Sequence, residues 1–205
     1  MNYGQIKHET LKLIFSDTSA GTPIADTYNN QADYVKAIPG LADDAQTYLA
    51  TIKKIPAAVP LRELEMTQLG GCRVYTVPTD FWQMMAGGLV VPTDGIPTRS
   101  RAFRLIGGNR LFVPSDSDDW VLEYWRLPTL LGDDPDDSTP LDNTPDVQAC
   151  IPLYVAAHLV MYDDAFRYSA LHREFEARAA MLKEPVFIET EDVSDVYGCF
   201  GGNDC

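Results

Sequence analysis

The apolar residues change period twice along the chain. Up to Lys54 they recur every three or four positions. Between Pro56 and Pro128 they fall in short β-branched or aromatic runs punctuated by Pro and Gly. From Pro145 the helical spacing returns. A chain ordered this way, helical, then extended, then helical, is expected to set an antiparallel unit inside a helical one. The sequence therefore predicts an α+β fold: a mainly helical domain with an inserted small antiparallel β region and an extended C-terminal arm. The boundaries read as N-terminal helices at 1–57, the β insertion at 58–130, C-terminal helices at 131–184, and an acidic, Gly-rich arm at 185–205.

Within the first segment, residues 4–15 place Ile6, Leu11, Ile14 and Phe15 at helical spacing, and Ser16–Pro23 reads as a loop. A second stripe follows from about Asn30 to Lys54 through Tyr34, Ile38, Leu41, Ala45, Tyr48, Leu49 and Ile52. Pro39-Gly40 interrupts it, so a short helix and then a longer one from Leu41 are expected. In the middle segment, residues 72–78 alternate like a strand, 103–106 and 110–113 flank a Gly107-Gly108-Asn109 hairpin turn, and 120–127 is a further strand. Four or so strands follow from this spacing. After the acidic loop 131–142, Asn143 or Thr144 can cap a helix with Pro145 in its first turn. Its apolar face is Val147, Ile151, Tyr154, Val155, Leu159 and Tyr162, with a bend at Pro152. Asp163-Asp164 opens a further stretch with Phe166, Leu171, Phe175 and Leu182 on one face; one bent helix and a helical hairpin both satisfy residues 145–184.

Chemistry is sparse. The three histidines, His8, His158 and His172, have no metal-ligand spacing, and His158 lies eight residues, roughly 12 Å of helix, beyond Cys150, too far for a thiol–imidazole pair. No phosphate-binding loop, nucleophile elbow or C-x-x-C occurs. Cys72 and Cys150 read as buried apolar side chains, and Cys199 and Cys205 sit in the arm. The clusters Asp116–Asp119 and Asp133–Asp137 lack the register of a calcium loop and read as solvated. Glu123, Glu174 and Glu176 have bland explanations in strand exposure or pairing with Arg173 and Arg178. Phe81, Trp82, Trp120, Tyr124 and Trp125 are expected in the core of the β region, with an interface the competing role. A net charge of −14 disfavours a nucleic-acid-binding face. No run approaches the ~18 apolar residues of a membrane span, and Met1–Phe15 has no signal-peptide core, which predicts a protein made in the cytoplasm. Neither a catalytic residue nor a metal or cofactor is expected.

Several stretches, taken together, resemble the adaptor proteins of tailed bacteriophages, also called head–tail connector or neck proteins. They are residues 28–57 (YNNQADYVKAIPGLADDAQTYLATIKKIPA), TVPTDFWQM at 76–84, EYWRLPTLL at 123–131, residues 141–182, and DVYG at 195–198. The most characteristic piece is Asp163-Asp164 after an apolar helix, followed by Phe175-Glu176. The resemblance lies in element order over most of the chain and not in a short motif. It implies a structural subunit of a homo-oligomeric ring, usually twelvefold, docked beneath the portal protein in the virion neck. Such a ring extends the DNA channel without sequence-specific binding and offers a surface to the next tail protein. The family supplies no catalytic residue to carry over. It implies a C-terminal arm that reaches the portal or a neighbour, here through Val186, Phe187, Ile188, Val193, Val196, Tyr197 and Phe200. The terminal Cys-Phe-Gly-Gly-Asn-Asp-Cys departs from the pattern.

Two other classes remain open on the sequence. A capsid decoration or tail-completion protein would use the β region as its binding module. A metal-dependent hydrolase would use the acidic loops, with Asp118, Asp119 and Asp134 as the residues to change. Ring closure needs two different complementary faces on each subunit, and amphipathic helices and strand edges can supply them. Deleting 185–205 is expected to leave a folded monomer with weakened assembly.

Overall fold

A reciprocal cap starts the chain. The Asn2 side chain accepts the Gln5 N–H at 2.9 Å, and the Gln5 side chain accepts the Asn2 N–H at 3.0 Å. Helix α1 (Tyr3–Ile14) follows and buries Tyr3, Ile6, Leu11 and Ile14. The computed structural model describes residues 1–15, 29–93, 96–100, 102–114 and 119–182. Helix α2 (Asn29–Ile52) then runs unbroken for 24 residues with Pro39 inside it, so the expected division at Pro39-Gly40 does not occur. Ile38, Ala42, Ala45 and Leu49 are fully buried on one face across the proline. Burying that continuous stripe offsets the roughly 3 kcal/mol that an interior proline costs.

The β region is larger than the sequence suggests. Its strands are β1 (Ile55–Pro60), β2 (Met66–Leu69), β3 (Cys72–Thr76), β4 (Phe81–Thr93), β5 (Ile96–Ser100), β6 (Arg104–Ile106), β7 (Arg110–Pro114) and β8 (Val121–Arg126). They form two four-stranded antiparallel sheets, ordered β1-β8-β4-β5 and β2-β3-β7-β6. Leu89, Leu122 and Tyr124 from the first sheet meet Tyr75, Leu111 and Val113 from the second in one core, closed by Leu61. The expectation of a mainly helical domain with a small insertion is thereby corrected: 42% of the described residues are helical and 29% lie in strands. The fold is α+β without a helical majority. The physical reason is that the eight described strands share two inner faces and bury a core of their own.

The chain returns to the helical unit through the 131–143 segment. Three short helices follow, α3 (Pro145–Gln148), α4 (Ile151–Val160) and α5 (Ala165–Ala179). The break falls at Ala149–Cys150, with Pro152 in the first turn of α4, where its missing N–H costs nothing. Asp164 caps α5 by accepting the Phe166 and Arg167 N–H groups at 3.1 and 2.9 Å. Residues 145–182 therefore form a helical hairpin, and residues 183 and 184 of the expected stretch lie outside the described residues. The hairpin packs against α1 and α2 around Ile151, Val155, Leu159, Leu171 and Phe175.

Both crossings between the units are pinned. Lys53 Nζ lies 2.5 Å from Asp146, Arg126 lies 2.6 Å from Asp142, and Lys54 sits over the Trp125 ring. The 131–143 segment is tied to α2 as well: Asp43 accepts the N–H groups of Leu131 at 2.7 Å and Gly132 at 3.1 Å, and Asn143 Nδ2 donates to the buried Gln46 side chain at 3.1 Å.

Candidate functional site

The chemistry-bearing side chains are dispersed. Among the described residues no group of three His, Cys, Asp or Glu side chains is placed to hold a metal ion. Cys150 is buried, which pushes its thiol pKa up, away from nucleophilic character. Cys72 is exposed, against expectation, because it opens β3 at the outer side of the sheet. Glu174 pairs with Arg178 at 2.6 Å, and Glu176 lies 3.5 Å from His172.

His158 and His172 belong to an aromatic ladder between α4 and α5. The His158 Nδ1 lies 2.8 Å from the Tyr154 carbonyl, so it carries the proton, and its ring stacks on Tyr154 at 4.0 Å. His172 stacks on Tyr168, and Phe175 meets Tyr154 edge-on. This arrangement fixes the helical hairpin.

A hollow of about 410 Å³ is an open depression between Lys7, Lys36, Pro39 and the Asp133–Asp137 loop. Asp137 pairs with Lys7 at 2.9 Å, and Asp136 caps Ser138. Of the other acidic cluster only Asp119 is described, and it is exposed. A second hollow, about 330 Å³, lies between Tyr48, Ile52, Ala179 and Leu182.

Exposed apolar side chains are more prominent than any cavity. Tyr162 is 90% and Phe166 87% exposed at the turn between α4 and α5. Both were expected on buried helix faces. The α4 helix ends at Val160, before Tyr162, and the Asp164 cap turns Phe166 outward in the first turn of α5. Met181 ends the helical unit at 78% exposure. On the β unit Leu69 is 63% and Met66 50% exposed in the edge strand β2, and Ile106 is exposed in the other edge strand of that sheet. Leu130 projects from the segment between the units. Of the aromatic group expected in the β core, Tyr124 is buried and stacks on Phe81 at 5.5 Å, Trp120 and Trp125 are half-buried, and Trp82 is exposed. The Tyr124 hydroxyl donates to Asp80 at 3.0 Å, and burial together with that bond pushes its pKa up to about 12.

The residues proposed for a docking arm, Val186, Phe187, Ile188, Val193, Val196, Tyr197 and Phe200, lie outside the described residues. Among the described residues no helix is long and apolar enough to cross a membrane. No protein-family model matches the chain, and no curated protein matches it.

Proposed function

We propose that this protein is a structural subunit of a head–tail connector ring of a tailed bacteriophage, seated beneath the portal and working through its surfaces. The observation that carries the reading is the distribution of large exposed apolar side chains over both units, Tyr162 and Phe166 on one and Leu69 and Ile106 on the other. Apolar exposure at separate, convex places suits a subunit that is covered by different neighbours on different sides. A ligand-binding enzyme would instead gather apolar and polar groups into one enclosed cleft. The family resemblance of the sequence supports the same reading. So does the division into two pinned units, which offers helix faces and strand edges for unlike contacts.

Under this proposal the ring extends the DNA channel, contacts the portal on one side and tail proteins on the other, and lets DNA pass without sequence-specific contacts. The test is electron microscopy of the protein with its portal. Rings stacked on the portal support the proposal. A protein that decorates the capsid shell, or that sits at the tail end distant from the portal, refutes it.

A further inference from the structure

We propose that the outer face of the β2-β3-β7-β6 sheet is one half of a contact between copies of this chain, and that the Asp133–Asp137 loop of a second copy is the other half. The proposal rests on the ring reading only for what the contact builds; the contact itself is a property of the free protein.

The face is defined by strand register. Paired residues share a side of a sheet, and successive residues alternate. Tyr75, Leu111 and Val113 point into the core. The alternate set therefore points out: Val74 opposite Phe112, Phe112 opposite Arg104, Thr76 opposite Arg110, and Arg110 opposite Ile106. Val74 and Phe112 are only half-covered and belong to neither buried core. Leu69 flanks them on β2. The result is an apolar strip bearing two arginines.

Those arginines are unusual here. Arg104 and Arg110 are diagonal neighbours across the β6–β7 pair, about 7–8 Å apart, and both are exposed. Neither forms a salt bridge with a described residue. Among the described residues the acid on the same face is Glu65, whose carbonyl accepts the Thr76 N–H, which places it two strands, roughly 10 Å, from Arg110. Two like charges side by side repel in the free subunit. In a chain of net charge −14, such a basic strip marks the place an acidic surface fits.

The chain carries that acidic surface elsewhere on itself. Asp133 and Asp134 are exposed and have no ion-pair partner among the described residues. Their loop is held in shape: Asp43 binds the Leu131 and Gly132 N–H groups at its start, and the Gly4 N–H donates to Asp137 O at 3.0 Å and the Tyr3 N–H to Thr139 O at 2.9 Å at its end. A fixed loop loses little freedom on docking. Leu130, 59% exposed, stands beside it as an apolar counterpart to Leu69 and Ile106. Strip and loop are unlike surfaces on different units, which suits a head-to-tail contact, the type that builds a ring when the rotation closes. A nucleic acid is the other polyanion that a basic sheet face can take. The net charge of −14 opposes it, and an aromatic row for stacking bases is missing from the face, where Phe112 stands alone among the described residues.

Sedimentation velocity of the full chain over a concentration series at low salt tests the contact. Wild type is expected to self-associate, and added salt to weaken it. Arg104→Glu with Arg110→Glu, and separately Asp133→Lys with Asp134→Lys, are each expected to raise the dissociation constant by at least about tenfold. Mixing the two variants, or combining all four substitutions in one chain, is expected to restore association. Wild type that remains monomeric at millimolar concentration, variants that associate like wild type, or a charge swap that restores nothing would each overturn the proposal. So would a DNA duplex that binds wild type and is lost on Arg104→Glu with Arg110→Glu. Rings of that arginine variant seated normally on the portal would remove this contact and leave the connector reading intact. Failure of wild type to form rings on the portal, with the charge swap behaving as expected, would remove the connector reading and leave the contact.

Discussion

Replacing Gln46 with leucine tests how the helical unit holds the 131–143 segment. The Gln46 side chain is fully buried, and its Oε1 accepts from Asn143 Nδ2 at 3.1 Å. Asn143 is 5% exposed, so its amide has little access to water once that acceptor is gone. The bond itself contributes about 1 kcal/mol net, and the orphaned donor costs about 1–3 kcal/mol more. Added apolar burial by the leucine returns up to about 1 kcal/mol. Gln46→Leu should therefore destabilise by about 1–4 kcal/mol. Gln46→Leu combined with Asn143→Leu removes donor and acceptor together, so its cost should fall below the sum of the two singles by about 1–3 kcal/mol. Urea unfolding followed by circular dichroism measures all four corners of this cycle, with an unchanged m value as the check that the native state is comparable. A single mutant within about 0.5 kcal/mol of wild type, or strict additivity in the double, would refute the claim that this pair secures the segment.

Other perturbations give distinct readouts. Tyr162→Ser with Phe166→Ser should leave stability within about 0.5 kcal/mol of wild type while reducing assembly on the portal; a large stability loss would mean these rings pack against the subunit itself. Gly88→Ala should cost about 1–3 kcal/mol in a thermal melt, because its Cβ would stand 2.1 Å from Met84 Cγ and 2.9 Å from the Met85 carbonyl, and a backbone atom cannot swing aside. The hydrogen bond from Lys53 holds the Asp146 carboxyl near a pKa of about 2, below its ordinary 3.8. A depressed carboxyl stabilises the fold above its unfolded value and loses that contribution as pH falls through the folded one. Lys53→Met should thus lower stability at neutral pH, with the difference from wild type closing between about pH 4 and 2 in acid titrations. Tyr34 donates to Asp163 at 2.5 Å, and that bond pushes its pKa up to about 12. Its contribution is complete below pH 10 and fades as pH rises through 12, so Tyr34→Phe should remove one late-titrating phenol from an ultraviolet titration.

What could be read from the sequence was whatever local chemistry decides. The Gly107-Gly108 turn was legible because both residues take positive φ, +64° and +75°, which side chains resist. The Asp164 cap was legible from Asp163-Asp164 ahead of an apolar stripe. Pro39 misled because a proline rule is local, whereas the buried stripe of α2 is long-range. Strand β1 was hidden by Pro56 and Pro60, which an edge strand tolerates and a central one does not. Strand β4 was hidden by Gly87-Gly88, which reads as a turn but sits where its register against β8 shifts between Met84 and Leu89. Missing those strands made the β region look minor. The proposed contact surface was less legible still. Arg104 and Arg110 are six positions apart in sequence, and only the β6–β7 register makes them neighbours.

The ladder between the first and last strands of the insertion has a structural corollary. Ile55 and Arg126 face each other across β1 and β8, so the chain leaves the helical unit and rejoins it at points about 5 Å apart. A short turn could bridge that gap with the helices undisturbed. A change confined to the residues between those two can therefore reshape the surface of the β unit while the helical frame keeps its closure.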